Sequence, residues 1–197
     1  MTLGFRVKSG YAIAVILDGT ADRPAAVARR IVELSDPKVK ETRQPYHSDF
    51  GEAEDDQRKI ARRVAIIERV SRQSVADLLR GATGADAAPR AKRQAGARIR
   101  AGLVVGSVID PAKVGNQHIR AHANEGRLFR TVLADALRQH GVECDVIVEK
   151  ELAAAAAKRL AGRDLSRTLT GFGKTLGSPW RSDEKAAATA AWMALAM

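Results

Sequence analysis

The chain has 197 residues, 45% of them hydrophobic, and a formal net charge of +10 at pH 7. This length suits one sizeable hydrophobic core rather than two, the composition excludes a disordered chain, and the positive charge favours polyanionic partners. The single cysteine, Cys144, excludes a disulfide framework and a thiolate metal cluster. No apolar run reaches the length of a membrane span, so we expect a cytoplasmic protein.

The N-terminal part of the chain predicts three antiparallel strands. A Lys-Ser-Gly turn at residues 8–10 joins two strand-like runs, and the second run, Tyr11–Leu17, ends at the turn pair Asp18-Gly19. The run Ala25–Leu34 then predicts a third strand that returns along the second. Residues 35–49 are polar and contain a proline, which indicates a loop.

Helices and strands alternate in the rest of the chain. Apolar spacing and turn residues predict a helix over 52–80, a flexible basic connection over 81–98, a buried strand over 100–109, a second helix over 116–140 and a fifth strand over 142–148. From residue 152 on we expect helices, interrupted near residues 171–179 and ending with a helix over 182–196. The order predicts one α/β domain over residues 1–197, with a five-stranded mixed sheet (three antiparallel strands, then β-α-β) flanked by helices.

Two short motifs resemble the ribonuclease-H-like superfamily. The segment Gly10-Tyr11-Ala12-Ile13 is similar to the second strand of RuvC-type Holliday-junction resolvases and YqgF-like proteins, and the Ala-rich run 182–191 resembles the last helix of the resolvases. Together with the element order, the resemblance covers most of the chain. It implies a ribonuclease-H-like fold and a nuclease in which acids of the first strand, the fourth strand and the last helix gather two divalent metals.

This sequence keeps only part of the acidic motif that the resemblance implies. Asp183, at the start of the last helix, matches one acid of the family. Arg6 or Lys8 stands where the first-strand acid is expected, and the second acid of the last helix falls at Ala186. The fourth strand offers only Asp110 nearby. A two-metal nuclease of the usual kind is therefore not what the motif predicts.

A second group of polar residues lies on the predicted second helix. His118, His122 and Glu125 fall within about 60° of one another on a helix, in line with apolar residues such as Phe129. We therefore expect the three polar side chains to face the core or a cleft. Two histidines at positions i and i+4 with a carboxylate can bind Zn²⁺ or another divalent metal. The alternative is that they only form local hydrogen bonds at the helix start.

Basic residues and one further histidine complete the candidates. Arg6, Lys8 and Lys185 could neutralise phosphate groups, and His47 in the loop after the third strand could supply an acid or base at the same end of the sheet. The basic run that holds Arg93 and Arg98 could contact nucleic acid or could simply be solvated.

Three functional hypotheses follow from these residues. The first is a nucleic-acid-associated, metal-dependent phosphodiester hydrolase, with Asp183, Glu125, His122 and Lys185 as catalytic residues and Asp183, Glu125 and His118 as ligands of Mg²⁺ or Mn²⁺. The second is a catalytically degenerate protein that binds DNA or RNA, or acts as a scaffold, without a cofactor. The third is an enzyme that acts on a small phosphorylated metabolite. A homodimer is compatible with each.

Overall fold

The computed structural model describes residues 1–48, 51–83 and 99–197, and its centre is a five-stranded mixed sheet. The strands are β1 (Thr2–Lys8), β2 (Tyr11–Gly19), β3 (Pro24–Glu33), β4 (Arg100–Val105) and β5 (Glu143–Val148). Their order in the sheet is β3-β2-β1-β4-β5. The first three strands pair antiparallel, while β4 lies parallel to β1 and β5 lies parallel to β4. The predicted mixed sheet is confirmed.

In the described ranges, five α-helices cover the two faces of this sheet. They are α1 (Gln57–Thr83), α2 (Gln117–Gln139), α3 (Glu149–Arg159), α4 (Leu165–Leu176) and α5 (Ser182–Leu195). One core lies between the sheet and the pair α1 and α2, and contains Phe5 and Phe129. A second core lies on the opposite face, where Val15 and Trp192 pack with residues of α3, α4 and α5. Within the described part of the chain, no helix is long and apolar enough to cross a membrane.

Side-chain alternation along β1 explains how it serves both cores. Leu3, Phe5 and Val7 belong to the core under α1 and α2, whereas the even-numbered positions face α5. Among them, Thr2 donates a hydrogen bond from Oγ1 to the carbonyl of Ala191, over 2.8 Å. At the carboxyl end of β1, one of these even-numbered positions holds a charged side chain, which also points towards α5.

Several element boundaries differ from those expected. The fourth strand ends at Val105 rather than at residue 109, because Val105 is the last residue that pairs with β5, and Val108 and Ile109 beyond it are exposed. The first helix begins at Gln57 rather than at residue 52, since Ala53 forms an isolated β-bridge with His47. Of the connection expected over 81–98, residues 81–83 belong to α1, and residues 84–98 lie outside the described part.

The C-terminal helices are also interrupted at different places. The glycine-containing segment 171–176 is helical in α4, and the chain leaves helical conformation at residues 160–164 and 177–181. Gly173 lies within α4, and its lack of a side chain allows Trp180 to approach. A Cβ atom on Gly173 would lie 2.5 Å from Cδ1 of that indole. Gly173, which was expected to lie in an interruption between helices, thus forms a contact between α4 and the segment before α5.

Candidate functional site

Three histidines and one glutamate meet near the start of α2. His118 and His122 lie one helical turn apart, with their Nε2 atoms 3.2 Å from each other. His47 approaches from the loop after β3, and its ring centroid lies 5.1 Å from that of His118 and 4.4 Å from that of His122. One ring nitrogen of each histidine lies within 4.8 Å of the others. Together with Glu125, these residues are called the histidine cluster below.

Glu125 is the buried centre of the histidine cluster. Only 1% of the residue is exposed, and its Oε1 lies 2.7 Å from Nδ1 of His47. The other carboxylate oxygen lies 3.5 Å from Nδ1 of His122. A buried carboxylate needs such partners because leaving it unpaired is costly. Burial, and next the charge of Glu125, raise the pKa of Tyr46, so this hydroxyl beside the cluster stays protonated at neutral pH.

Local interactions hold both sides of the histidine cluster in place. The Asn116 side chain caps α2 by accepting a hydrogen bond from the backbone N–H of Ile119, over 3.0 Å. On the loop side, Arg63 of α1 donates hydrogen bonds to the carbonyls of Pro45 and His47, over 3.1 and 3.0 Å. The loop is therefore anchored to α1, and the His47 ring has a defined position against α2.

Of the triplet on α2 that was expected to face the core or a cleft, only Glu125 is buried. His118 and His122 are exposed, because the start of α2 lies beside the loop that carries His47, whereas Phe129 and Leu133 further along pack into the core of the sheet. The predicted polar group is thus split by depth. The carboxylate is buried and the two histidines of α2 lie at the surface.

A separate ionic network lies on the opposite face of the sheet, at the carboxyl end of β1. Arg6 is only 5% exposed, and its guanidinium contacts Asp183 (Nε to Oδ1, 3.2 Å) and Glu149 (Nη2 to Oε2, 2.5 Å). Lys8 also contacts Oδ1 of Asp183, over 3.0 Å. These four residues are called the Arg6 network below. It joins β1 to the first turns of α3 and α5.

The Arg6 network borders a cavity between the sheet end and α2. The cavity has a volume of about 240 Å³, and its lining includes Arg6, Lys8, Ser107 and Phe129. Arg130 lies close to it and donates a hydrogen bond to the carbonyl of Ser107, over 3.4 Å. Burial, together with the positive charge of a neighbouring arginine, lowers the pKa of Arg130. The lining of the cavity thus combines two cations and two serines with apolar side chains, and Arg130 lies beside it.

These residues do not fit the two-metal site that the sequence resemblance implies. The Asp183 carboxylate is already paired with two cations. Asp110 caps the short 3₁₀ helix Pro111–Lys113, accepting a hydrogen bond from the N–H of Ala112 over 3.1 Å, and Ala186 is a buried apolar position. A divalent metal at this place would face the Arg6 guanidinium, which repels it. The three residues proposed from the sequence as metal ligands, Asp183, Glu125 and His118, do not form one site either. Asp183 belongs to the Arg6 network, and the other two belong to the histidine cluster.

The other candidate residues are placed as follows. Lys185 is exposed on α5, and no side-chain hydrogen bond or ion pair of it is found in the described part of the chain. Between described residues, no hydrogen bond or ion pair joins Asp183 to the histidine cluster. Arg93 and Arg98 lie outside the described residues. Sequence reasoning missed Glu149, although its place directly after the parallel strand β5 is a typical position for functional residues in such sheets.

Comparison with known proteins gives structural neighbours only. No family model matches the sequence, and no curated protein matches it. The chain is similar in structure to Thermus thermophilus RuvC in complex with a Holliday junction substrate, with a TM-score of 0.50 and 10% sequence identity over 98% of this chain and 90% of that one. Another Thermus thermophilus RuvC structure has a TM-score of 0.48 and 10% identity, over 98% and 91%. The ribonuclease-H-like fold expected from the sequence is confirmed.

Proposed function

We propose that this protein binds nucleic acid at the cavity beside the Arg6 network, and that it does so without the two-metal chemistry of its fold. The observation that carries the proposal is the buried Arg6. It stands on the strand where the family resemblance implies an acid, and together with Lys8 it balances the charges of Asp183 and Glu149 in place of metal ions. Arg6 and Lys8 line the neighbouring cavity whereas Asp183 and Glu149 do not, which makes the cavity suited to an anion.

The two cations of β1, Arg6 and Lys8, differ in burial and in their ionic partners. The side chain of Arg6 is 7% exposed and is held by two carboxylates, whereas the side chain of Lys8 is 33% exposed and pairs with Asp183 alone among the described acids. Lys8 is therefore the cation that can turn towards a phosphate group in the cavity. The net charge of +10 supplies the long-range attraction that brings a polyanion to the surface.

In the first of the two RuvC structures, that protein is in complex with a Holliday junction substrate. This supports testing branched DNA beside single strands, duplexes and RNA. Comparing the affinities for these nucleic acids will show which of them the protein prefers. Metal-dependent hydrolysis remains the second candidate function, and the gathering of three histidines around Glu125 is the observation that favours it.

Substitution of Asp183, compared with His122→Gln, separates the two candidate functions because each function depends on a different group of residues. In a binding protein, Asp183→Asn releases Lys8 and removes a negative charge close to the phosphate. We expect affinity to rise about fivefold, the equivalent of about 1 kcal/mol for charges near 4 Å in water. In a nuclease that works through the histidine cluster, which Asp183 does not contact, the same change should leave metal-dependent cleavage intact, while His122→Gln should abolish it. Fluorescence anisotropy with labelled oligonucleotides and a cleavage assay with Mg²⁺ and Mn²⁺ measure both outcomes.

A lysine pair supplies the matched control. Lys8→Gln should weaken binding to all sequences alike and reduce the slope of log affinity against log salt by about one. Lys174→Gln on α4 removes the same charge from an exposed position that does not line the cavity, and should change the slope much less. Equal effects of the two variants, or no oligonucleotide binding at low salt, would contradict the proposal. Saturation by a mononucleotide alone would indicate a small phosphorylated ligand instead.

A further inference from the structure

We propose that the histidine cluster binds one divalent transition metal, with His47, His118 and His122 as ligands and Glu125 as the carboxylate that orients them. This site is distinct from the Arg6 network, which shares no residue with it. The inference therefore does not depend on the proposed nucleic-acid function. It stands on the spacing of ring nitrogens, on an unpartnered buried nitrogen and on the position of a buried carboxylate.

The spacing of the ring nitrogens matches a tetrahedral centre. With metal–nitrogen bonds of 2.0–2.1 Å, two histidine nitrogens on one tetrahedral zinc ion lie about 3.3 Å apart. The Nε2 atoms of His118 and His122 are 3.2 Å apart, and a nitrogen of His47 lies within 4.8 Å of both. Closing the remaining gap takes a shift of up to about 1.5 Å, relative to that same spacing. The exposed rings of His118 and His122 are free to make it.

His47 supplies the observation that a hydrogen-bonded cluster leaves unexplained. His47 is 4% exposed, and its buried Nε2 has no hydrogen-bond partner among the described residues. Its Nδ1 lies 2.7 Å from the Glu125 carboxylate, so Nδ1 carries the proton and Nε2 presents a lone pair. An Nε2–H···Nε2 bond can satisfy His118 and His122, but it leaves the His47 nitrogen unpaired at a cost. A bound metal satisfies all three.

Glu125 occupies the position of an outer carboxylate rather than of a ligand. Its two oxygens face Nδ1 of His47 and Nδ1 of His122. Carboxylates that accept a hydrogen bond from the second nitrogen of a ligating histidine fix its tautomer and increase its basicity. Three imidazoles favour zinc, cobalt, nickel or copper over magnesium. Because His118 and His122 lie at the surface, the fourth coordination position faces solvent and is open to water or to a ligand.

Metal titration of the full chain tests the site directly. Metal-free protein is titrated with Co²⁺, followed by its visible absorption bands, and with Zn²⁺ by calorimetry. We expect one ion per chain and loss of at least about 100-fold in affinity in His118→Gln and in His122→Gln, since each removes a ligand. The fourth histidine of the chain, His140, lies exposed at the far end of α2, so His140→Gln is the matched control and should bind as the wild type does.

Glu125→Gln tests the orienting role separately from ligation. It should weaken binding by about 10- to 100-fold, the usual effect of losing an outer carboxylate, while the shape of the Co²⁺ spectrum is retained. Circular dichroism shows whether this buried variant folds, and the exposed His118 and His122 variants decide the matter if it does not. Binding that is equal in wild type and in the double variant of His118 and His122 would overturn the proposal. So would loss of binding in His140→Gln, or no binding by the wild type.

Discussion

Gly4 lets the last helix rest directly on the central strand of the sheet. A Cβ atom at this position would lie 1.9 Å from the carbonyl oxygen of Ala187 and 2.5 Å from the backbone nitrogen of Ala191. Gly102 on the neighbouring strand is similar, with a hypothetical Cβ 2.9 Å from the Cβ of Ala190. Because the obstacles include backbone atoms of α5, side-chain rotation cannot make room. The whole helix would have to move.

We therefore expect Gly4→Ala to lower the free energy of unfolding by about 3 kcal/mol, at the upper end of the usual cost of overpacking a core. Urea denaturation followed by circular dichroism measures it. Gly81→Ala in α1 is the control, since no atom of the described residues lies within 4 Å of its added Cβ. That variant should gain about 0.5–1 kcal/mol, because alanine is the better helix former. Similar losses in both variants would show that the contact with α5 is not the cause.

We expect the thiol of Cys144 to react slowly at neutral pH. Burial raises the pKa of this thiol to about 11, and only the thiolate is a nucleophile. We expect alkylation of the native chain at pH 8 to be on the order of 100-fold slower than in denaturant, where the pKa returns to its ordinary value. The native rate should then rise about tenfold per pH unit up to pH 11. Mass spectrometry of timed iodoacetamide reactions measures it, and a plateau near pH 9 would contradict it.

At the scale of elements, the Arg6 network ties β1 to α3 and α5 with unequal dependence on its members. Removing one partner of a buried ion pair leaves an uncompensated charge, whereas replacing the buried cation by an apolar side chain leaves carboxylates that water can reach. The side chains of Asp183 and Glu149 are 28% and 49% exposed, compared with 7% for Arg6. The cation is thus the member that depends most on its partners.

This asymmetry predicts the order of two substitutions. Asp183→Ala should cost about 3 kcal/mol, because buried Arg6 keeps only the half-exposed Glu149. Arg6→Met should cost less, about 1 kcal/mol, because its carboxylates become solvated and Asp183 keeps Lys8. Guanidinium denaturation is unsuitable because it screens charges, so urea melts at low and high salt are the measurement. A larger loss in Arg6→Met than in Asp183→Ala would contradict this account.

Helices and strands could be predicted from local sequence patterns, whereas the histidine cluster could be predicted only in part. The spacing of His118, His122 and Glu125 is visible within one helix, and the structure places them together. The contact of Glu125 with His47 joins residues 78 positions apart, and no periodic pattern encodes such a pairing. His47 was a candidate only as a loop residue near the same end of the sheet. Its burial depends on Arg63 holding the loop, which is a tertiary contact.

At the scale of the whole molecule, the two cores share one sheet and have no separate support. Strand β1 contributes to both, since its odd-numbered residues pack under α1 and α2 and its even-numbered ones contact α5. Helical packing on either face should therefore be lost when the sheet is lost. This arrangement predicts a single cooperative unit over the described ranges.

Equilibrium unfolding in urea tests this cooperativity. Trp192 of α5 is buried, so tryptophan fluorescence reports on the face of the sheet that α5 covers, while far-UV circular dichroism reports on the helices of both faces. We expect the two transitions to coincide at the same midpoint. Amide hydrogen exchange in α1 and α2 supplies a third probe of the opposite face. Two separated midpoints would show that the layers unfold independently.

The overall order of strands and helices was also predictable, because alternating apolar residues and turn pairs such as Asp18-Gly19 mark the hairpins. The end of the fourth strand was not, since Val108 and Ile109 are apolar but have no strand to pair with beyond Val105. The ion pair between Arg6 and Asp183 could not be predicted either, although both residues were candidates. Their sequence separation of 177 is bridged only by the packing of α5 on β1.

The guanidinium of Arg6 makes the countercharge of Asp183 and Glu149 a covalent part of the polypeptide. A charge of this kind has no dissociation constant, so chelators, dilution and competition among free ions leave it in place. It is present as soon as the chain has folded, and every copy of the protein carries it in the same amount. Whatever anion occupies the neighbouring cavity thus meets the same pair of cationic side chains, Arg6 and Lys8, in every copy of the protein.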